Sequence, residues 1–219
     1  MYLANNTRPN IEFVVNLLAR HSAAPTKRHW VGIKMVFRCH NGTRDLGLFY
    51  SRNQDPVLLG YTYAGYLSDP TMADHNLALY SYKVVQQYLG SLQSRLSTPT
   101  NHSEIIALYE ASHECVWLRR MINHIIQSCG IGAINTPTII FEDNSACVTQ
   151  MESGYIKSNM TKHIIPKLFY LHELQKNGEI EILQTKSCVN LADLFTKSLP
   201  YCYRHKLTGL IYGPKARWA

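Results

Sequence analysis

The chain has 219 residues and a mass of 25.0 kDa, enough for one or two domains. Hydrophobic residues make up 46% and charged residues 17%, which excludes wholesale disorder, and no apolar run approaches the roughly 20 residues a bilayer-spanning helix needs. The opening MYLANNTRPNIEF is not a basic-then-apolar leader, and six scattered cysteines form no CxxC pair. A reduced intracellular protein, cytoplasmic or nuclear and with no membrane partner, is expected.

The formal charge of +7 is unevenly placed. Residues 1–56 hold eight basic and three acidic side chains, residues 57–200 ten and twelve, and the last nineteen four basic and no acidic ones. Basic ends around a mildly acidic middle suit a polyanion held by the flanks over a carboxylate site. A solvated basic surface accounts for the same numbers equally well.

In chain order, Ile11, Val14, Val15 and Leu18 recur at helical spacing between Arg8 and His21, with Pro9 in the first turn. A second helix is predicted from Thr26, a capping residue, to the stop signal Asn41-Gly42. Leu46–Tyr50 and Val57–Thr62 read as short strands. Leu77, Tyr80, Val84, Tyr88 and Leu92 then repeat every three to four residues, which predicts a helix over 74–93. The strongest helical pattern runs from Ser103 to Cys129 with Leu108, Ala111, Cys115, Leu118, Ile122 and Ile125 as its stripe. After it come a strand at Thr138–Asp143, a helix from Ser145 to Met151, a helix over 161–176, a strand at Glu179–Thr185 and a helix from Leu191 to Leu199. Strand, helix, strand, helix is an α/β pattern with parallel neighbours. Trp30 and Trp117 fall within helical apolar patterns and read as core residues. Cys115 and Cys147 read as buried thiols.

Three acids stand out. Glu104 lies on the apolar stripe of its helix, where an ionised carboxylate is costly unless paired or bound to metal; Asn101-x-x-Glu104 also reads as a capping box. Asp143 ends an apolar strand, where open α/β sheets place ligand residues, and it also stands where the helix at Ser145 needs a cap. Asp193 lies in the first turn of the last helix, where the dipole favours any acid. Convergence of the three would need cations, and hard oxygen donors select Mg²⁺ or Mn²⁺.

Several ordered blocks decide the resemblance: YLANNTRPNIEFVVNLLARHSAAPTKRHW, GYTYAGYLSDP, SEIIALYEASHECVWLRR, EDNSACV, KSNMTKHI and NLADLFTKSLP. Together they resemble the C-terminal end of a plant copia-type LTR retrotransposon Pol polyprotein. Residues 1–50 resemble the thumb or connection tail of a reverse transcriptase, residues 57–200 an RNase H domain, and 201–219 form a basic C-terminal tail. The implied fold is α/β: an RNase H-like mixed sheet, three antiparallel strands then two parallel ones, flanked by helices, with an N-terminal helical segment. The implied activity is hydrolysis of RNA in an RNA–DNA hybrid by two Mg²⁺ (or Mn²⁺) ions, held here by Glu104, Asp143 and Asp193.

Two departures qualify that expectation. The first-strand acid of the family should follow Gly60-Tyr61-Thr62, and Tyr63 stands there; a phenol with a pKa near 10 is not a bridging carboxylate at neutral pH. Residues 71–97 also lack the Gly-rich hairpin of the family and are expected to be helical instead, as a pair of compensating frameshifts would make them. A degenerate, inactive domain with weakened metal binding is therefore expected. The alternatives are a domesticated non-catalytic module that binds nucleic acid or protein, and a rearranged active site. Lys27, Arg28, Lys34 and Arg38, with Lys162 of the KSNMTKHI block, are the candidate phosphate contacts. The partners implied are a hybrid or other nucleic acid, and reverse transcriptase or a longer Pol polyprotein.

Overall fold

Alternating burial along Thr138–Glu142 marks the centre of the sheet on which the candidate site is built. The computed structural model describes residues 2–46, 58–64, 75–79, 88–92, 100–130, 132–133, 135–153, 162 and 164–212. The chain divides into two compact units, Gln54–Ala192 and Met1–Asn53 with Asp193–Ala219.

In the first of these, strands β1 (Leu59–Tyr61), β4 (Thr138–Glu142) and β5 (Ile180–Gln184) form a parallel sheet in the order β1-β4-β5. Gly60 pairs with Ile140, and Ile140 with Ile182. Helices α4 (Thr100–Ser128), α5 (Ser145–Ser153) and α6 (Ile165–Lys176) cover it. Ile105, Leu108, Ala111, Cys115 and Leu118 from α4 meet Ile140, Met151, Leu168 and Leu171 in one core. Gly178 closes α6 at φ +69°, a left-handed position that only a residue without Cβ adopts cheaply. The α/β class and the parallel order follow the sequence pattern, but the expected mixed sheet does not form among the described residues: β1 has only β4 as its ladder partner, and the antiparallel strands pair in a sheet of their own.

The helix predicted over 74–93 is not what forms. His75–Leu79 (β2) and Tyr88–Leu92 (β3) are antiparallel strands, with Leu79 opposite Tyr88 and His75 opposite Leu92. The same stretch also holds apolar residues at even spacing, Leu77 with Leu79 and Tyr88 with Leu92, and cross-strand pairing satisfies the backbone. The rest of 71–97 lies outside the described residues, as do 47–50 of the strand expected at 46–50.

The second unit is helical: α1 (Tyr2–Asn6), α2 (Pro9–Ala19), α3 (Lys27–Gly42), α7 (Asp193–Thr196) and α8 (Tyr201–Tyr212). The first residues of the expected tail form α8, which buries Leu207, Ile211 and Tyr212. The expected helix over 191–199 shrinks to the single turn of α7. Gly32 lets α3 approach α2, since a Cβ there would meet Leu18 Cδ2 at 3.0 Å. Arg8 donates to the carbonyls of Thr43 and Arg44 at the end of α3, and Tyr212 Oη donates to Asn10 Oδ1 at 2.9 Å.

Glu12 of α2 is fully buried and, among the described residues, finds no hydrogen-bond partner for either oxygen. Loss of hydration pushes its carboxyl from 4.5 up to about 8. The folded chain therefore holds this proton where the unfolded chain releases it. That contribution to stability is present in full below about pH 4.5 and is lost as pH rises toward 8. Thermal denaturation should give a higher Tm at pH 5 than at pH 8. Glu12→Gln should flatten that dependence, which is on the order of a few kcal/mol.

Candidate functional site

Because β1 and β4 run parallel, their C-terminal ends open on the same edge of the sheet, where α/β proteins place their ligand residues. The ladder continues one residue past β1, with Thr62 N donating to Phe141 O at 2.9 Å. Three side chains then hold the strand exit. Thr62 Oγ1 donates to Glu142 Oε2 at 2.6 Å. Ala64 N donates to Glu104 Oε2 at 2.7 Å, and Asn190 Nδ2 donates to Thr62 O at 3.0 Å. Tyr63, half-buried, lies between the two residues held by the carboxylates.

Glu104, Glu142 and Asp143 each offer a carboxylate oxygen within 4.8 Å of the others. The two capping explanations do not apply. Glu104 lies a full turn inside α4 and grips Ala64 instead, while Asn101 donates to Gln150. Asn144, not Asp143, caps α5, its Oδ1 accepting from Cys147 N at 3.1 Å.

Glu142 is a site residue that the sequence reading misses. The signal for it is strand parity: Thr138, Ile140 and Glu142 share the buried face of β4, so an acid stands in a core-facing register. Burial raises its carboxyl to about 7 and the charge of Asp143 adds to this. Hydrogen bonds from Thr62, Asn144 N (3.1 Å) and Asp143 N pull the other way. Thr62 and Asn190 escape the sequence reading too, because a threonine and an asparagine carry no spacing signal of their own.

Asp193 belongs to the helical unit, where it starts α7, is buried and pairs with Lys197 Nζ at 2.7 Å. Lys27, Arg28, Lys34 and Arg38 are exposed along α3, and Lys162 is exposed in a turn of the sheet unit. Trp30 and Trp117, expected in the core, are 58% and 50% exposed. Trp117 sits beside the buried stripe of α4 rather than in it, and α3, which carries Trp30, buries none of its residues. Cys115 and Cys147 are buried as expected, and burial pushes the Cys115 thiol up to about 12.

Among known proteins, the chain is 26% identical over 203 residues to a retrovirus-related Pol polyprotein from transposon TNT 1-94 of Nicotiana tabacum. It is 25% identical over 201 residues to the counterpart from transposon RE2 of Arabidopsis thaliana. These alignments cover 91% and 88% of the chain but only 15% and 13% of the polyproteins. The chain is thus similar to part of the Pol polyprotein of plant copia-type retrotransposons. It is also 29% identical over 121 residues to the secreted RxLR effector protein 161 of Plasmopara viticola, covering 54% of the chain and 84% of that protein. No family model and no solved structure matches. Among the described residues, no helix is long and apolar enough to cross a membrane.

Removing the Thr62 hydroxyl should leave a buried carboxylate oxygen of Glu142 without its donor. Thr62→Val should destabilise the chain by about 1–3 kcal/mol in urea denaturation, while Thr62→Ser should stay close to the parent.

Proposed function

We propose that this chain is a degenerate RNase H-like segment of a retrotransposon Pol polyprotein that binds RNA–DNA hybrid without cleaving it. The observation that carries the reading is the residue at the β1 exit. Tyr63 stands where the resemblance places the first metal-binding acid, while Glu104 and Asp143 remain beside it at the sheet edge. The parallel order β1-β4-β5 supports the RNase H-like architecture.

The donor set fits Mg²⁺ or Mn²⁺, since Glu104, Glu142 and Asp143 offer hard oxygen donors within 4.8 Å. Glu104 and Asp143 would hold the ion, and the resemblance adds Asp193. Bound there, a pair of such ions would neutralise the scissile phosphate and generate the attacking hydroxide. What the chain itself does is different. Glu104 accepts the Ala64 amide and Glu142 accepts the Thr62 hydroxyl, so both carboxylates are engaged in holding the strand exit. The phenol of Tyr63 adds bulk and no negative charge at pH 7. Hybrid binding would come from the cations of α3 and Lys162, through phosphates.

The test is a cleavage assay on a labelled RNA–DNA hybrid in Mg²⁺ and Mn²⁺, beside calorimetric titration of the metal. The parent chain should show no cleavage above background. Tyr63→Asp should bind the divalent ion more tightly, by about tenfold or more, because it restores a carboxylate to the group. Cleavage by the parent chain that is abolished in Glu104→Gln, Asp143→Asn or Asp193→Asn would overturn the reading.

A further inference from the structure

We infer that α3 is a binding platform for single-stranded nucleic acid, with the Trp30 and Phe37 rings stacking on bases and Lys27, Lys34 and Arg38 tracking the phosphates. The inference rests on the nucleic-acid reading above and adds a strand state and two base-contacting residues to it.

No residue of α3 is buried, yet it carries two large aromatic side chains, Trp30 at 58% and Phe37 at 68% exposure. They are seven residues apart, so they share one side of the helix about two turns, or ~10 Å, from one another. Lys27, Lys34 and Arg38 follow at offsets of seven and eleven and form a second stripe beside the first. The two stripes meet where Lys34 Nζ lies 5.6 Å from the centroid of the Trp30 ring.

Charge selects the partner. From Arg20 to Arg44 there are six Lys and Arg residues and no acid. The helical unit as a whole holds 13 basic and 3 acidic residues, against 9 and 12 in the sheet unit. Of its three acids, Glu12 and Asp193 are buried, leaving Asp45 at the surface. Lys27 and Arg28 stand in the first turn of α3, where the dipole disfavours cations, so helix stability does not account for them.

The aromatic stripe then selects the strand state. In an intact duplex the base faces are already stacked on one another and offer nothing to an exposed indole. Unpaired bases do offer a face, and stacking on an aromatic ring is worth about 1–3 kcal/mol per base with little sequence preference. A merely solvated basic face would need neither ring. A protein partner is the less favoured occupant, because it would have to be densely acidic to match this stripe.

Fluorescence anisotropy with the full chain tests the inference, using 12-nucleotide oligo(dT) and oligo(U) beside a blunt RNA–DNA hybrid over a salt series. Trp30→Ala and Phe37→Ala should each weaken oligonucleotide binding about tenfold with the salt slope unchanged. Trp30→Phe keeps a ring and should retain binding within about threefold. Lys34→Gln should instead make the salt slope shallower by about 0.7. Because these side chains are exposed, circular dichroism should show all variants folded. Normal binding of blunt hybrid with none of the oligonucleotides would overturn this inference and leave the proposed function standing. Oligonucleotide binding indifferent to both alanine variants would overturn it as well. So would alanine variants that alter only the sedimentation of the free chain, which would make α3 a contact between copies. Binding of neither hybrid nor single strand would overturn both readings.

Discussion

The parallel pairing of β1 with β4 is the constraint on which the candidate site depends. It brings the two strand ends to one edge and sets Thr62 beside Phe141 and Glu142. From that register the rest follows locally. The Thr62 hydroxyl reaches the carboxylate on the buried face of β4, and the chain turns so that the Ala64 amide reaches Glu104 on α4. A one-residue slip would turn Glu142 away from the core-facing side and Phe141 toward it. Asn190, far along the chain, fixes the same exit by donating to the Thr62 carbonyl. Three elements distant in sequence thus hold a segment of three residues, and Tyr63 is its middle one.

Much of this is legible in the amino-acid sequence. Long runs with one clear pattern announce themselves: α3 between its cap and its Asn-Gly stop, the extended α4, the apolar run of β4 and the alternation of β5. Glu104 stands out because an acid on an apolar stripe is costly and Asp143 because it ends an apolar strand, and the structure brings those two together. The failures share a physical cause. In 74–93 the apolar spacing satisfies periods of both two and nearly four, and only long-range pairing separates them. Trp30 and Trp117 are expected in the core because large aromatics usually go there, but the helix face that carries each is decided by what packs against it. Glu142 is overshadowed by a more familiar acid beside it, although its parity places it on the buried face.

Charge is segregated in a way that linear order conceals. The two basic ends of the chain fall into one unit, since residues 1–53 and 193–219 group together, while the acidic middle forms the other. Within the helical unit two of the three acids are withdrawn from the surface, Glu12 into a buried position and Asp193 into an ion pair, and Asp45 stays exposed. The charge of this unit is predominantly positive, 13 basic against 3 acidic residues, so its long-range field is stronger than a net charge of +7 over the whole chain suggests.

Three carboxylates close together repel one another, and the sheet unit contains the means to offset that repulsion from its own groups. Glu104 receives a backbone amide, and Glu142 receives a hydroxyl and an amide. Burial sets the Glu142 carboxyl near 7, so at neutral pH a proton cancels part of its charge. A divalent ion brought into this group would compete with that proton and with the donors that hold the strand exit. The phenol at position 63 adds no negative charge to this group at neutral pH. The total negative charge thus stays at a level that hydrogen bonds and a proton can balance. An arrangement that a fourth carboxylate would make dependent on cations can in this way persist as ordinary structure.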